Sequence, residues 1–560
     1  MIRHLPSTGV SLCAIGAVLA LTACERGDGF DAAAETITAA GLGRGIRDLA
    51  ADSMGGRAPA SWGEERTVRY LTGRFEALGL EPGNGSSWVQ EVPLVSLSAD
   101  PDMGAVIRGR GTVNRLQHGS DFVAVTEQVV EQTGLQSSEL VFVGYGIVAP
   151  EFGWDDYDGI DVRGKTIVVL VNDPGYATGD TALFNGRAMT YYGRWTYKYE
   201  EAARHGADGV LVVHQTGPAG YPWAVVEAGW SGERFMLAER GDQPSVEVEG
   251  WISEETARTL FAQARLDFDL RAAEAATRDF TPYDLGLQVT LSLRNAIGRS
   301  TSRNVLALLR GSQRPQELVI YTAHWDHLGT DPAVGADSIY NGALDNASGT
   351  SGVLQIAAAF AGLKRAPARS VLFLAVTAEE QGLLGSAYYA SHPVYPLAET
   401  VATINLDGLN IWGPTSDLTV VGYGMSELDD VLREAAGAAG RTLAPDPEPE
   451  KGSYYRSDHF EFAKRGVPSL YPDAGIQDLE HGEEWARARR DEYTNDNYHK
   501  PSDEYDPSWN LDGAVQDLRL LFAVGHSLAT GDAWPNWRTG TEFRAVRDEM
   551  MGYSTPSGEN

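Results

Sequence analysis

The sequence predicts an α/β fold, in which helices flank a mostly parallel mixed sheet and a β-rich unit is inserted ahead of most of that sheet. After about residue 284, short apolar segments alternate with segments of helical periodicity, which is typical of a parallel sheet covered on both faces. Between about residues 98 and 283, short β-type segments and Gly/Asp turn clusters dominate. The 560 residues, of which 43% are hydrophobic, suffice for two or three domains with buried cores.

These changes in pattern divide the chain into five segments. We expect a lipoprotein signal peptide at 1–23, the N-terminal part of the α/β domain at 24–97, the inserted unit at 98–283, the rest of the α/β domain at 284–530, and a polar tail with weak structure signals at 531–560.

The expected elements follow in chain order. Two helices at 38–49 and 64–80 precede a strand at 89–97, in which Pro93 favours an edge position. In the inserted unit we expect strands at 121–125, 140–144, 165–171 and 209–214, and a helix at 197–205. In the α/β domain we expect strands at 288–293, 304–309, 318–323, 371–377, 401–406, 418–421 and 469–471, and helices at 352–363, 385–390, 427–439 and 511–529. Residues 475–497 are expected to be a charged loop that is either a lid or a surface excursion.

The charge of the chain limits its partners. The formal net charge of −32 opposes binding to nucleic acid or to anionic lipid headgroups, both of which need basic patches. We therefore expect no nucleic-acid partner.

The N-terminus has the features of an export signal. Arg3 precedes an apolar segment at 9–21 that is short for a membrane span, and the segment ends in Leu21-Thr22-Ala23-Cys24. This resembles a bacterial lipobox, which implies that Cys24 becomes the lipidated first residue; an ordinary secretory signal is the alternative. Only Cys13 and Cys24 occur, so the mature chain can form no internal disulfide. We expect an exported protein, anchored by lipid to the cell envelope at the outer membrane or periplasm if the source is Gram-negative.

Side chains able to bind a metal follow three of the predicted strands. The first strand ends in His324 and Asp326, the second leads to Glu379 and Glu380, and the third leads to Asp407. The carboxyl ends of parallel strands meet at one edge of a sheet, where ligands bind. These side chains are therefore expected to lie close together.

Two further residues complete the set. Asp345 lies in a turn between two of the strands, and His499 lies in a loop far downstream. Zinc binds His nitrogen and carboxylate oxygen, and two ions about 3.5–4 Å apart can hold a hydroxide between them. Adjacent Glu379 and Glu380 would repel each other unless one binds metal and the other acts as a general base. Each residue alone has an ordinary structural explanation, but their convergence favours a metal centre.

The motifs resemble those of a known family, the M28 zinc peptidases. They are His324-Trp325-Asp326-His327-Leu328-Gly329, Gly342-Ala343-Leu344-Asp345-Asn346-Ala347-Ser348-Gly349, Ala378-Glu379-Glu380-Gln381-Gly382, Asn405-Leu406-Asp407 and Tyr498-His499-Lys500-Pro501-Ser502-Asp503. The loop Met54-Gly55-Gly56-Arg57 also resembles the family's N-terminal segment. The inserted unit resembles a protease-associated (PA) domain, through residues 141–146 and 161–165.

The resemblance implies a set of metal ligands. In this set His324 and Asp407 hold one zinc ion, Glu380 and His499 hold the other, and Asp345 bridges the two. His327 is then left as a structural residue. The family often has a cis peptide after the bridging aspartate, which here is Asp345-Asn346.

The resemblance also implies catalytic roles. Glu379 is the general base, Asp326 orients His324 through its other ring nitrogen, and Tyr498 donates a hydrogen bond to the oxyanion. Arg456, in Arg456-Ser457-Asp458-His459, is a candidate substrate contact.

We therefore expect an exported exopeptidase with two Zn²⁺ per chain, most specifically an aminopeptidase that hydrolyses peptides through a hydroxide bridging the metals. One alternative is a carboxypeptidase of the glutamate carboxypeptidase type, which needs a basic pocket; Arg456, Arg487, Arg489 and Arg490 are its candidates. A single-zinc glutaminyl cyclase relative and a receptor module on an inactive peptidase fold are disfavoured, because all five ligands are retained. The oligomeric state stays open.

Overall fold

The computed structural model describes residues 29–239, 244–335 and 337–553, so the targeting segment with Cys24 lies outside the described residues. Its α-helices are Phe30–Ala34, Ala39–Leu49, Trp62–Ala77, Pro174–Thr178, Trp195–Arg204, Thr216–Ala219, Trp223–Gly229, Glu254–Gln263, Phe268–Ala275, Gly349–Ala361, Leu384–Ser391, Leu428–Ala438, His459–Lys464, Glu483–Asp496, Asp512–Thr530 and Arg544–Met551. Its strands are Glu81–Pro82, Val89–Ala99, Gly104–Gly109, Thr112–Gln117, Phe122–Val125, Gln132–Phe142, Val148–Ala149, Trp154–Asp155, Thr166–Leu170, Gly209–His214, Glu233–Leu237, Val248–Ser253, Tyr283–Leu309, Arg314–His324, Gly329–Thr330, Ile339–Tyr340, Arg369–Val376, Thr400–Asn405, Asp417–Val421, Thr442–Pro445 and Ser469–Asp473.

The main sheet has a parallel centre. Arg314–His324 pairs in parallel with Arg369–Val376 on one side and with Thr400–Asn405 on the other, and the latter pairs in parallel with Ser469–Asp473. All residues of Arg369–Val376 are buried, as expected for a strand with both faces covered. The predicted mixed α/β fold is confirmed, and the carboxyl ends of these strands meet at one edge of the sheet.

Local sequence explains the helices that cover this sheet. Trp62–Ala77 begins after Ser61, whose hydroxyl accepts hydrogen bonds from two backbone N–H groups of the first turn. Val68, Leu71 and Phe75 recur at helical spacing and are buried in the main core. This helix therefore holds the loop that precedes it, residues 52–61, against the sheet.

The inserted region has a second sheet with its own parallel centre. Gln132–Phe142, Thr166–Leu170, Gly209–His214 and Val248–Ser253 pair in parallel in that order, and apolar clusters pack against the sheet. The strand Tyr283–Leu309 links the two sheets, because its first half pairs in the second sheet and its second half pairs with Val89–Ala99. This single long strand stands where the sequence predicted two shorter strands, at 288–293 and 304–309. The boundaries of the five segments stay predictions.

The strand that contains Pro93 is not at an edge, contrary to the prediction. Val89–Ala99 pairs with Tyr283–Leu309 on one side and with Glu233–Leu237 on the other. Pro93 lies just past the end of the second pairing, which stops at Leu94, and its carbonyl still accepts a hydrogen bond of 2.9 Å from the N–H of Ala238. At the end of a ladder the missing N–H of a proline is tolerated.

Two C-terminal regions are more ordered than the sequence indicates. Residues 475–497 contain the helix Glu483–Asp496, in which Arg490 pairs with Asp473. In the tail, Trp537 is fully buried and donates a hydrogen bond to the carbonyl of Gly466. A polar sequence with weak periodicity does not predict such tertiary contacts. Among the residues that the structure describes, no helix is long and apolar enough to span a membrane.

Candidate metal centre

Three neighbouring parallel strands end at the candidate site. His324 is the last residue of the middle strand, Glu379 and Glu380 follow the strand on one side, and Asp407 follows the strand on the other. The hydroxyl of Ser457 donates a hydrogen bond of 2.6 Å to Asp407 Oδ2, which leaves Oδ1 directed to His324. Strand direction therefore explains how residues far apart in sequence meet.

Asp345 lies in a turn that is fixed on both sides. The backbone N–H groups of Leu344 and Asp345 donate to the two carboxylate oxygens of Asp503 at 3.0 and 3.1 Å. The side chain of Asn346 accepts a hydrogen bond of 3.1 Å from the N–H of Gly408, next to Asp407. The Asp345-Asn346 peptide is cis, as the resemblance implies.

The predicted ligands form two groups that share Asp345. In the first group, His324 Nε2 lies 3.2 Å from Asp407 Oδ1 and 3.3 Å from Asp345 Oδ1. In the second, His499 Nε2 lies 3.0 Å from Glu380 Oε2 and 3.2 Å from Asp345 Oδ2. Each carboxylate oxygen of Asp345 therefore faces a different imidazole.

The donor set of this site, which consists of imidazole nitrogens and carboxylate oxygens, fits zinc. Ligand atoms of His324, Asp345 and Glu380 lie within 4.8 Å of one another, as do those of His324, Glu379 and Asp407. Burial alone would raise the pKa of Asp345, but hydrogen bonds from His324 and His499 outweigh it and lower that pKa well below the usual range. A group of carboxylates this close, with little solvent, needs cationic charge between its members.

Glu379 differs from its neighbour Glu380. Its Oε2 lies 3.9 Å from His324 Nε2, and its backbone N–H donates to Asp326 Oδ1 at 3.1 Å. Burial raises the pKa of Glu379 well above that of an ordinary glutamate, and the charges of Asp407 and Glu380 act in the same direction. Glu379 therefore lies beside the predicted ligands, and its surroundings favour its protonated form.

Asp326 contacts the other ring nitrogen of His324, as predicted, and does so mainly through its main chain. His324 Nδ1 lies 3.2 Å from the backbone carbonyl oxygen of Asp326 and 3.8 Å from its carboxylate. The carboxylate is directed instead to the N–H of Glu379, and burial raises its pKa to about 8. Asp326 thus orients His324 through its main chain and supports Glu379 through its side chain.

Tyr498 and Arg456 lie beside the centre. The Tyr498 ring stacks on His499 with centroids 3.8 Å apart, and burial raises the pKa of its hydroxyl to about 12. The Arg456 side chain is exposed, and it acts electrostatically on both Tyr498 and Glu379. Both residues therefore border the group of predicted ligands.

Three residues contact the predicted ligands or their loops although the sequence did not predict such a role for them. His327, assigned there as structural, is fully buried and its Nδ1 lies 2.5 Å from Glu380 Oε1. Asp503 holds the Asp345 turn, and Arg57 contacts two of the ligand loops. Asp503 and Arg57 lie within the motifs on which the family resemblance rests. Their presence in those motifs is the signal in the sequence that could have pointed to a role at the site.

Known proteins resemble this chain in sequence and in fold. Residues 304–523 match the model of Peptidase family M28. Aminopeptidase YwaD of Bacillus subtilis (strain 168) is 29% identical over 222 residues, which are 39% of this chain and 42% of that protein. A probable zinc metalloprotease of Leptosphaeria maculans is 40% identical over 87 residues, which are 16% of this chain and 20% of that protein. The chain thus spans less than half the length of these curated relatives.

A solved structure shares the fold over most of the chain. The aminopeptidase from Aneurinibacillus sp. strain AM-1 superposes with a TM-score of 0.50 at 18% identity, covering 89% of this chain and 96% of that one. The matched segment 304–523 contains every predicted metal ligand. Residues 304–523 are therefore similar in sequence to the peptidase domains of family M28, and the chain has the fold of the Aneurinibacillus aminopeptidase.

Proposed function

We propose that this chain is a zinc-dependent exopeptidase with two ions per chain, and specifically an aminopeptidase that removes N-terminal residues from peptides. The observation that carries the proposal is the position of Asp345, whose two oxygens lie 3.3 Å from His324 Nε2 and 3.2 Å from His499 Nε2. A carboxylate in this position can join two cations, and Glu379 lies next to them as a base. The similarity to YwaD, an aminopeptidase, favours the N-terminal direction of attack.

The side chains of the site have complementary roles in this reaction. Two zinc ions held by His324, Asp345, Glu380, Asp407 and His499 would polarise the scissile carbonyl and lower the pKa of a water molecule. Glu379 takes a proton from that water and gives it to the leaving amine. Tyr498, whose hydroxyl stays protonated at neutral pH, donates a hydrogen bond to the oxygen on which negative charge develops.

Hydrolysis of amino-acid arylamides by the purified chain tests the proposal. We expect turnover that a chelator abolishes and zinc restores, two zinc ions per chain by elemental analysis, and no cleavage of N-acetylated substrates. Turnover that survives complete removal of metal would refute it.

One observation favours a carboxypeptidase as a second candidate. In the part of the chain that the structure describes, Arg456 forms no side-chain hydrogen bond, and the buried Nε of Arg194, from the inserted region, has no partner. The two guanidinium groups lie close enough for Arg456 to lower the pKa of Arg194, whose burial already lowers it to about 10. Such a pair could bind a substrate carboxylate. Peptides with a blocked amine and a free carboxylate discriminate, because only a carboxypeptidase cleaves them.

We further propose that the inserted region is a PA-type domain that narrows access to the site. The ring of Tyr191 contacts those of Tyr455 and Phe460, on either side of Arg456, with centroids 5.9 and 5.0 Å apart. This packing supports a cleft walled by both regions. Short peptides should then be cleaved much faster than the termini of folded proteins, and equal rates would contradict the idea.

We also propose that the chain is exported and anchored by a lipid on Cys24, which the lipobox-like sequence supports. Cys24→Ser should move the protein from the membrane fraction to the soluble fraction after lysis. An unchanged distribution would contradict the anchor.

A further inference from the structure

The loop Asp52–Arg57 packs directly against the metal centre. Gly55, Gly56 and Arg57 all have positive φ, at 60°, 62° and 51°. A Cβ on Gly56 would lie 2.1 Å from the carbonyl oxygen of Gly329, so only glycine fits there. Arg57 has no such freedom and adopts a left-handed conformation that costs free energy. The surrounding contacts must therefore hold it in place.

Those contacts are with the backbone of two ligand-bearing loops. Arg57 Nε donates to the carbonyl of Trp325 at 2.8 Å, directly after His324. Its Nη1 donates to Asn341 at 2.6 Å and its Nη2 to Gly342 at 2.9 Å, at the start of the turn that carries Asp345. A fourth bond of 2.8 Å goes from Nη1 to the carbonyl of Leu49. One planar guanidinium thus bonds to both loops at once.

The charge of Arg57 is also unusual in its setting. The side chain is 1% exposed, and among the described residues no carboxylate accepts a hydrogen bond from it. Burial lowers the pKa of Arg57 to about 10, while the nearby carboxylates of Asp503, Asp326, Asp345 and Glu380 act in the opposite direction. It remains charged at neutral pH and partly offsets the negative charge of the site.

We propose that Arg57 is a positioning residue of the metal centre, whose guanidinium fork holds the His324 loop and the Asp345 turn at the spacing needed for tight binding of a second metal ion. The inference rests on the proposed two-metal function. The site formed by His324, Asp345 and Asp407 depends on it most, because its ligands come from both loops.

Arg57 could act by positioning the two loops or only by its positive charge, and a lysine at this position distinguishes these explanations. A lysine keeps the charge but has one compact ammonium group, which cannot reach four carbonyls in the geometry of a planar fork. If positioning is the role, both Arg57→Lys and Arg57→Met weaken metal binding. If charge is the role, only Arg57→Met does.

The experiment is a zinc titration of the metal-free protein, followed by calorimetry, with bound zinc counted after dialysis against a weak chelator. Arg547→Met is the matched control, since Arg547 is also buried and donates to backbone carbonyls, those of Leu397 and Thr400, away from the predicted ligands. We expect both Arg57 variants to retain about one zinc ion per chain, with affinity at one site lowered about 10- to 100-fold. Arg547→Met should retain two ions even if its thermal stability falls equally.

Each outcome has one meaning. Two tightly bound ions in Arg57→Met would overturn the inference, and full rescue by Arg57→Lys would overturn the positioning role in favour of charge. If Arg57→Met does not fold, Arg57→Lys with the circular dichroism spectrum of the wild type decides the question by its zinc count. A wild-type chain that binds no zinc would instead refute the proposed function.

Discussion

At the scale of single residues, the pKa values of two adjacent glutamates, Glu379 and Glu380, are shifted in opposite directions. Glu380 lies between His327 and His499, at 2.5 and 3.0 Å. Burial and the charge of Asp345 raise its pKa, but the two imidazoles outweigh them and bring it to about 2. Burial raises the pKa of Glu379 well above the usual range. Titratable neighbours whose pKa values are pushed apart are typical of a division between ligand and base.

This division predicts different effects for the two alanine substitutions. Glu379→Ala should lower kcat by about 10²- to 10⁴-fold, because the proton acceptor is lost while the ligands remain. Zinc content should stay at the wild-type value. Glu380→Ala should lower activity and also zinc content, which elemental analysis measures. Full activity in Glu379→Ala would exclude its role as the base.

His327 should matter through Glu380. In His327→Phe the bond to Glu380 Oε1 is lost, so we expect zinc affinity to fall about 10- to 100-fold, measured by chelator competition. The control is His459→Phe, since His459 is also fully buried, where it packs against the rings of Tyr454 and Tyr471. Burial lowers the pKa of His459 to about 3, so it is neutral, and its replacement should leave zinc affinity unchanged. Equal affinities in the two variants would contradict the role of His327.

At the scale of elements, the metal centre depends on how loops are held rather than on the strands alone. The turn Ala343–Ser348 is fixed by Asp503, and Tyr493 of the helix Glu483–Asp496 donates to the same carboxylate at 3.0 Å. This helix therefore connects the chain leading to His499 with the turn that carries Asp345. A region predicted as a loop contributes to the geometry of the site.

Two glycines near one helix make a matched test of loop packing. Gly56→Ala should destabilise the fold by more than about 1 kcal/mol, because its Cβ would overlap the Gly329 carbonyl and its φ is left-handed. Gly73 lies in the helix Trp62–Ala77, where a Cβ would meet no atom within 4 Å apart from its chain neighbours and the backbone of its own helix. Gly73→Ala should therefore stabilise the fold by about 0.5–1 kcal/mol. Chemical denaturation measures the free energy of unfolding of both variants. A Gly56→Ala variant as stable as the wild type would show that the loop can move to accommodate the Cβ.

At the scale of the whole molecule, the inserted and main regions share a strand and a second contact beside the site. In that contact the ring of Tyr191 packs on that of Tyr455, whose hydroxyl donates to Glu542 Oε1 of the C-terminal segment at 3.2 Å. Burial raises the pKa of Glu542 from 4.5 to about 7. The folded chain therefore holds this proton more tightly than the unfolded chain does.

The raised pKa of Glu542 determines whether this residue favours the folded state at low or at high pH. The stability that Glu542 contributes is complete below about pH 4.5 and is lost as the pH rises through about 7. Glu542→Gln should consequently raise Tm relative to wild type at pH 8, and by less at pH 5. Glu549→Gln, at an exposed glutamate of the next helix, is the control and should change Tm at neither pH. A gain in Tm that does not depend on pH would contradict the assignment.

Much of the fold could be predicted because its signals are local. The apolar run at 371–376 and the periodicity of Val68, Leu71 and Phe75 are each read within a few residues. The predicted helices at 38–49, 64–80 and 511–529 differ from the structure by at most three residues at either end. The buried tail around Trp537 could not be predicted, because distant residues provide its packing.

The sequence by itself determined which chemical groups are present and which strand ends carry them, since side-chain type and strand direction are properties of short segments. Only the tertiary structure decided that the two oxygens of Asp345 face different imidazoles and that the carboxylate of Asp326 turns to Glu379. It also placed Arg57 against Trp325, 268 positions away in the chain. Contacts of this kind depend on how finished elements pack, and a sum of local preferences does not contain that information.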